Sequence, residues 1–422
     1  MKIDPTIGTS PFKSGQNNMF KSLKLKDITL AIFLTALGGC SATNGVDNKS
    51  ASAEASIQEK SQPYWDMFYL EHDFINPNPA NRKDALKVGE LGVDGGDKAL
   101  IMQLANNISA DNKGNFDSVL ISYKDKLVFE SYFRRGRIDL PHDQASVSKA
   151  HVSLAVGRAI QMGYLSMDDL QKPIVSFFND LTPSKLVTGA DTITLQDALS
   201  MRSGIRINAD KFRSLIERSR KKRGFNFVQE FLQHSDVITP ESKSFKYQGS
   251  DPLMVIHVLE RVVPVSAKHF IKNEVFGKLG ITQYHWKDDI NGTLASNTNL
   301  MSRDMIKVGQ LFVNNGKWQG EQLISKAYLN NIDNGKNKPA EDWIPEKYFY
   351  NNFWYQTDMT VGGKTYKAKF AWGGGEQYIL TFDELNLVAV FTASSRENET
   401  MQLTEEVILP AFVKEDYTAK SH

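Results

Sequence analysis

The chain has 422 residues, 41% of them hydrophobic and 23% charged, with a formal net charge of +1. This is ordinary globular composition, without the basic excess that a nucleic-acid-binding surface requires. One cysteine, Cys40, excludes an intrachain disulfide. Eight histidines without an H-x-x-x-H pair give no support for a metal centre, and no cofactor is expected.

The N-terminal 39 residues read as a leader. Ile28 to Leu37 is an apolar run preceded by Lys21, Lys24 and Lys26 and followed by Gly38-Gly39-Cys40, the layout of a signal peptide. The run is too short to remain as a membrane-spanning helix. Residues 1–18 fit no such pattern, whereas Met19 opens a conventional basic region, MFKSLKLKD, so 1–18 read as a mis-assigned extension and 19–39 as the signal peptide. LGGC resembles the bacterial lipobox, whose cysteine becomes the lipidated first residue of the mature chain. Ser41 follows Cys40 rather than Asp, and by resemblance to Gram-negative lipoproteins this implies anchoring to the periplasmic face of the outer membrane.

Residues 40–62 contain almost nothing that could form a core and are expected to be a flexible tether. From Pro63 the aromatics of YWDMFYL and the turn residues of INPNPANR suggest an irregular segment wrapping over a domain. No second linker appears before about Asp416. A stretch of roughly 350 residues is long for one simple core, so residues 63–416 are expected to form one domain of two packed subregions.

Val119–Tyr123 and Leu127–Tyr132 read as strands around a tight turn. Next comes ASVSKAHVSLAVGRAIQMGYL, Ala145 to Leu165. Here Val152, Ala155, Val156, Ala159 and Ile160 recur at helical spacing, Leu154 and Met162 widen the apolar face, and Gly163 supplies the stop. Leu195–Met201, Asp251–Val262 and Ser302–Val313 read as further helices. Strand signals return at Lys367–Trp372, Gln377–Phe382 and Leu387–Thr392, and a closing helix runs from Thr400 to Val413. Early strands, a helical centre and late strands argue for an α+β domain in which both chain ends build one antiparallel sheet, flanked by helices.

Ser146 falls at the start of the buried helix and Lys149 three residues on, on the same face. A lysine amine buried beside a serine hydroxyl can accept its proton, the S-x-x-K arrangement of acyl-transferring serine enzymes. The bare pattern occurs three times, at Ser10, Ser146 and Ser219. The first precedes the leader and the third lies in the charged run SRKKR, so only Ser146 has an apolar helix behind it. His142 and His151 flank this serine and are read as surface or packing residues.

SVSK opening a buried helix, Tyr247 in SFKYQGSD just before a helix, and a glycine-rich turn at a late strand together resemble the serine β-lactamase and penicillin-binding-protein superfamily, in its class C-like branch of esterases and 6-aminohexanoate-dimer hydrolases. ITLQDALSMRSGI, NLMSRDMIKVGQLFVNNGKWQGEQLIS and GGGEQYILTFDELNLVAVFTAS extend the resemblance over roughly Ser118 to Ser395. It implies a β-lactamase-like fold, Ser146 as acylated nucleophile, Lys149 as the group that helps deprotonate it, and Tyr247 sharing the proton toward the leaving group. The backbone amides of Ser146 and Gly375 would hold the oxyanion, with Gly374 the alternative to Gly375.

Two departures stand out. Gly249 occupies the position two residues after the tyrosine where the family has Asn or Ser, unless Gln248 or Ser250 replaces that side chain. Trp372-Gly373-Gly374 stands where β-lactamases carry Lys-Thr-Gly or His-Thr-Gly, which removes much of what would bind a carboxylate. Trp372, Gly374 and Gln248 are the expected substrate contacts. The expectation is a lipid-anchored serine hydrolase cleaving small-molecule esters or amides through an acyl-enzyme. The alternatives are a β-lactamase or D,D-peptidase, or a non-catalytic module binding cell-wall fragments.

Overall fold

The structure, a computed structural model, describes residues 52–111, 114–286, 298–335, 337–395 and 399–413. The leader, Cys40 and the last residues of the expected domain, 414–416, lie outside the described residues.

The centre of the fold is a nine-stranded sheet. Its strands are β1 (Phe74–Asn76), β2 (Lys87–Val88), β3 (Phe116–Tyr123), β4 (Lys126–Tyr132), β5 (Phe349–Asn351), β6 (Trp354–Val361), β7 (Lys364–Gly373), β8 (Gln377–Phe382) and β9 (Leu387–Ala393). The order is β1-β4-β3-β9-β8-β7-β6-β5, with β2 pairing parallel to β4. Late strand β9 pairs antiparallel with early strand β3, with Ala389 opposite Ile121 and Val390 opposite Leu120. Both chain ends therefore build one α+β sheet.

Every residue of β3, β8 and β9 is buried, although the sequence of β3 alternates only weakly. Two helical layers explain this. The closing helical segment 400–413, with α1 (Lys98–Ser109) packed on it, covers one face, lying against β6 and setting Phe412 on Tyr123 of β3. A later helix, Ser302–Val313, packs on β3, β8 and β9 from the other. A strand buried on both faces selects Val, Ile, Leu and Phe on both sides. The latter helix comes so close to the sheet that a Cβ at Gly309 would collide with Val388.

α2 (Ser148–Gln161) follows a 3-10 turn, Ala145–Val147, and is buried from Ser148 to Ala159. Gly163 ends it at φ 78°. Beyond it lies a helical subregion with α3 (Leu195–Leu199), α4 (Ala209–Ser219), α5 (Phe227–His234) and α6 (Ser250–Val262), of which α6 packs on both α2 and α3. The Ser302–Val313 helix is α7.

Two expectations need correction. The tether is shorter than 40–62, because residues 52–62 lie on the domain. Ala53 is 2% exposed and its carbonyl accepts from the Ile138 amide. The Ala55 amide donates to Asp139 and Arg137 pairs with Glu59. Small and polar side chains that could not form a core alone are held here by partners distant in sequence. The late β block also starts before Lys367: β6, WYQTDMTV, was hidden by its polar residues, yet Gln356 is buried with its amide donating to the Ile332 carbonyl.

Candidate active site

The serine segment is fixed by a small sheet in which His142–Asp143 pairs with Thr298–Leu300. The Gln144 amide donates to the Thr298 carbonyl at 2.9 Å, and the Ser148 hydroxyl lies 2.9 Å from that of Thr298. The chain then turns sharply. Ala145 takes a left-handed conformation, φ 44°, while its amide donates to the Asp143 carboxylate at 2.8 Å. For a residue with a Cβ that conformation costs about 1–2 kcal/mol, a strain that concentrates where geometry serves a site. It delivers Ser146 into the 3-10 turn that opens α2.

One turn on, Lys149 is 7% exposed, and its Nζ lies 2.9 Å from Ser146 Oγ. The same Nζ sits 4.9 Å from the centre of the Tyr247 ring. The structure thus brings together all three residues expected from sequence. Tyr247 lies in the turn before α6, half-buried, with its amide donating to Glu341 Oε1 at 3.0 Å.

β7 completes the site. Its last residue, Gly373, is packed against the serine segment so tightly that a Cβ would collide with the Gln144 carbonyl and come within 3.2 Å of the Ser146 amide nitrogen. Glycine is required for this approach. Gly374 is exposed with open space beside it, and Gly375 turns the hairpin at φ 84° with its carbonyl accepting from the Gln377 side chain. An acyl oxygen held by the Ser146 amide would therefore lie beside the β7 glycines, the arrangement an oxyanion site needs.

Around these groups stands an aromatic wall. Trp343, 44% exposed, meets Tyr247 edge-on at 5.3 Å and Trp372 at 5.5 Å. Trp372 stacks on Tyr378 at 5.8 Å. Glu376, at the hairpin tip, is pushed above the usual carboxylate range by burial, against hydrogen bonds from Thr400 and Trp372. Glu341 and Trp343 were not anticipated, since nothing in PAEDWIPEKY marks them, and only the fold sets them beside Tyr247.

Gln248 is placed next to Tyr247, but its amide nitrogen donates to Ser203 Oγ and Asp251 Oδ1, at 3.1 and 2.7 Å. Ser250 likewise donates to Asp251, at 3.0 Å. Both side chains suggested as replacements at Gly249 are thus tied to Asp251. His142 is buried against Asp117, with its Nε2 3.1 Å from the carboxylate; burial lowers its affinity for a proton, but the Asp117 carboxylate raises it further, to a net value above the usual one. His151 packs edge-on against Phe276, and burial pushes it down to about 3. Among the described residues, no group of three or more His, Cys, Asp or Glu side chains is placed to hold a metal ion.

The profile of the Beta-lactamase family matches residues 106–411. No sequence among the curated proteins matches the chain. Among solved structures, the chain is similar to a protein assigned as a 6-aminohexanoate-dimer hydrolase from Bacillus anthracis, with a TM-score of 0.61 and 17% identity over 89% of this chain and 99% of the other. A D-stereospecific amidohydrolase from Streptomyces sp. gives 0.54 and 13%, over 74% and 98%. A class C beta-lactamase gives 0.54 and 14%, over 74% and 94%. Identities this low establish the fold alone.

Proposed function

Because the chain belongs to the Beta-lactamase family, whose members are serine hydrolases, we propose that it cleaves ester or amide bonds of small molecules through an acyl-enzyme on Ser146. The observation that carries this reading is the 2.9 Å contact between Ser146 Oγ and Lys149 Nζ under the ring of Tyr247. Lys149, in its neutral form, takes the hydroxyl proton as Oγ attacks the carbonyl carbon. The Ser146 amide and an amide of the β7 hairpin, Gly375 or its neighbour Gly374, receive the oxyanion. Tyr247 relays the proton to the leaving alkoxide or amine as the bond to it breaks, leaving an ester on Ser146. A water then attacks that ester, giving up its proton to the same pair; the acyl–Oγ bond breaks, the carboxylic acid departs, and the proton passes to Ser146 Oγ.

Uncharged esters and amides suit this site better than β-lactams or peptide C-termini. Trp372 and Gly373 provide neither the cation nor the hydroxyl that would grip a carboxylate, and Trp343, Trp372 and Tyr247 offer aromatic surface instead. Short-chain p-nitrophenyl esters are expected to turn over faster than nitrocefin by a wide margin. Comparable nitrocefin hydrolysis would favour the β-lactamase reading. Mass spectrometry after fluorophosphonate treatment should show one adduct, on Ser146; a wild-type protein with neither adduct nor turnover would favour a non-catalytic binding module.

The sequence around Cys40 supports a lipid anchor on the periplasmic face of the outer membrane. Cys40→Ser should release the protein on osmotic shock, and a wild-type protein without an acyl group that fractionates as soluble would overturn that assignment.

A further inference from the structure

The turn that carries Tyr247 is clasped by a second turn distant in sequence. After α3, Met201 takes a left-handed conformation, φ 57°, and its carbonyl accepts from the Lys246 amide at 2.9 Å. Two residues on, Ser203 is fully buried. Its hydroxyl donates to Asp251 Oδ1 at 2.7 Å while accepting from Gln248 Nε2 at 3.1 Å and from the Ile205 amide at 3.2 Å. Asp251 is fully buried in the first turn of α6. Its Oδ1 also accepts from Gln248 at 2.7 Å and Ser250 at 3.0 Å, and its Oδ2 from the Ser203 amide at 3.4 Å. The carboxylate therefore binds Gln248 and Ser250, which follow Tyr247, to the turn after α3, while the Lys246 amide ties the residue before Tyr247 to the same turn.

Burial pushes Asp251 up to about 6, against the hydrogen bonds from Ser203, Gln248 and Ser250 that pull it down. Its value is raised on folding, so this group stabilises the fold most when protonated, below its unfolded value of about 3.8, and that contribution is lost as pH rises through about 6. At neutral pH the chain thus retains a buried charge at a net cost, facing the charge of Arg206 and the phenol of Tyr350. A fold needing only a plug would do better with an apolar residue there. None of the chemical steps assigned to Ser146, Lys149 and Tyr247 uses Asp251 or Ser203.

We infer that Ser203 and Asp251 are positioning residues that hold Tyr247 at the angle from which it delivers a proton to the leaving group. The inference rests on the proposed acyl-enzyme reading. It also gives a role to Ser203 of SMRSGI, Ser200 to Ile205, which otherwise takes no part in the site. A proton relay requires its donor within a few tenths of an ångström of its place. A loosened turn would cost most where the leaving group cannot depart without that proton.

The test is a set of variants assayed on acetate esters of graded leaving-group basicity, from p-nitrophenyl to ethyl, each checked for folding by its melting temperature. Asp251→Asn and Ser203→Ala are expected to lower kcat on the ethyl ester about tenfold to a hundredfold, to change it little on the p-nitrophenyl ester, and to leave KM alone. In a Tyr247→Phe background neither change should cost more, because the residue being positioned has lost its proton. If Asp251→Asn does not fold, Ser203→Ala, which removes one hydroxyl, carries the test alone. Losses equal on all esters, or additive with Tyr247→Phe, would overturn the inference. Fluorophosphonate labelling of the same samples separates the failures: an adduct on Ser146 with the wrong ester dependence sinks the clasp alone, and no adduct in the wild type sinks the acyl-enzyme reading with it.

Discussion

Two of the S-x-x-K sequences lie in the described residues, and they differ in everything but spacing. At Ser146 the pattern sits where a helix begins, and the i, i+3 geometry carries the lysine amine back over the serine hydroxyl at 2.9 Å. At Ser219 it sits where α4 ends. That serine is buried, 2% exposed, whereas Ser146 is only half-buried, and the Ser219 hydroxyl donates back to the Ile216 carbonyl at 2.8 Å. Lys222 lies beyond the helix, exposed. The chain after a helix no longer turns at 3.6 residues, so the same spacing does not restore the same face. At Ser146 the helix starts against the end of a sheet strand, Gly373 of β7, whereas Ser219 closes α4 in the helical subregion.

Four experiments would break or sharpen this contrast. The largest effect should come from Ser146→Ala, which should abolish covalent labelling and reduce ester turnover by at least about three orders of magnitude. Ser219→Ala should leave turnover within a factor of about two, because its hydroxyl is engaged with the Ile216 carbonyl of its own helix rather than with Lys222. Wild-type turnover in Ser146→Ala would mean that the nucleophile is misassigned.

Lys149→Ala and Tyr247→Phe come next, each expected to cost about two to three orders of magnitude in kcat, with the double variant little worse, because groups on one proton path are not additive. Both should still label, slowly. Lys222→Ala is the matched control, and any comparable loss there would contradict the contrast.

Gly373→Ala probes the strand end packed against the serine segment. Its Cβ would press on the Gln144 carbonyl and the Ser146 amide, and overpacking of this kind typically costs about 1–3 kcal/mol. Turnover should fall with both kcat and labelling rate, and an unchanged labelling rate would show that β7 does not shape the oxyanion site. The smallest effect is the stability of Ser219→Ala, expected to drop by about 0.5–1.5 kcal/mol with its hydrogen bond, as measured by urea denaturation.

Local chemistry was legible in advance. The apolar spacing of 152–160 fixed the α2 helix, and with it the pairing of Ser146 and Lys149. Lys124 and Asp125, both at positive φ, turn the β3–β4 hairpin where the sequence suggested it. The α+β layout followed from where strand and helix periods changed along the chain.

Other features could be decided only by tertiary contacts. β6 is a strand because its neighbours β5 and β7 take up its backbone hydrogen bonds, despite a polar sequence. Residues 52–62 are ordered by Ile138, Asp139 and Arg137 rather than by any pattern of their own. Gln248, which reads as free to meet a substrate, is bound by Ser203 and Asp251, and Trp343 reaches Tyr247 from nearly a hundred residues away. By itself the sequence determined what lies within one helical turn or one hairpin, because backbone geometry fixes those distances. Which polar group is satisfied, and by whom, depends on burial against remote segments, and that was decided only when the chain closed on itself.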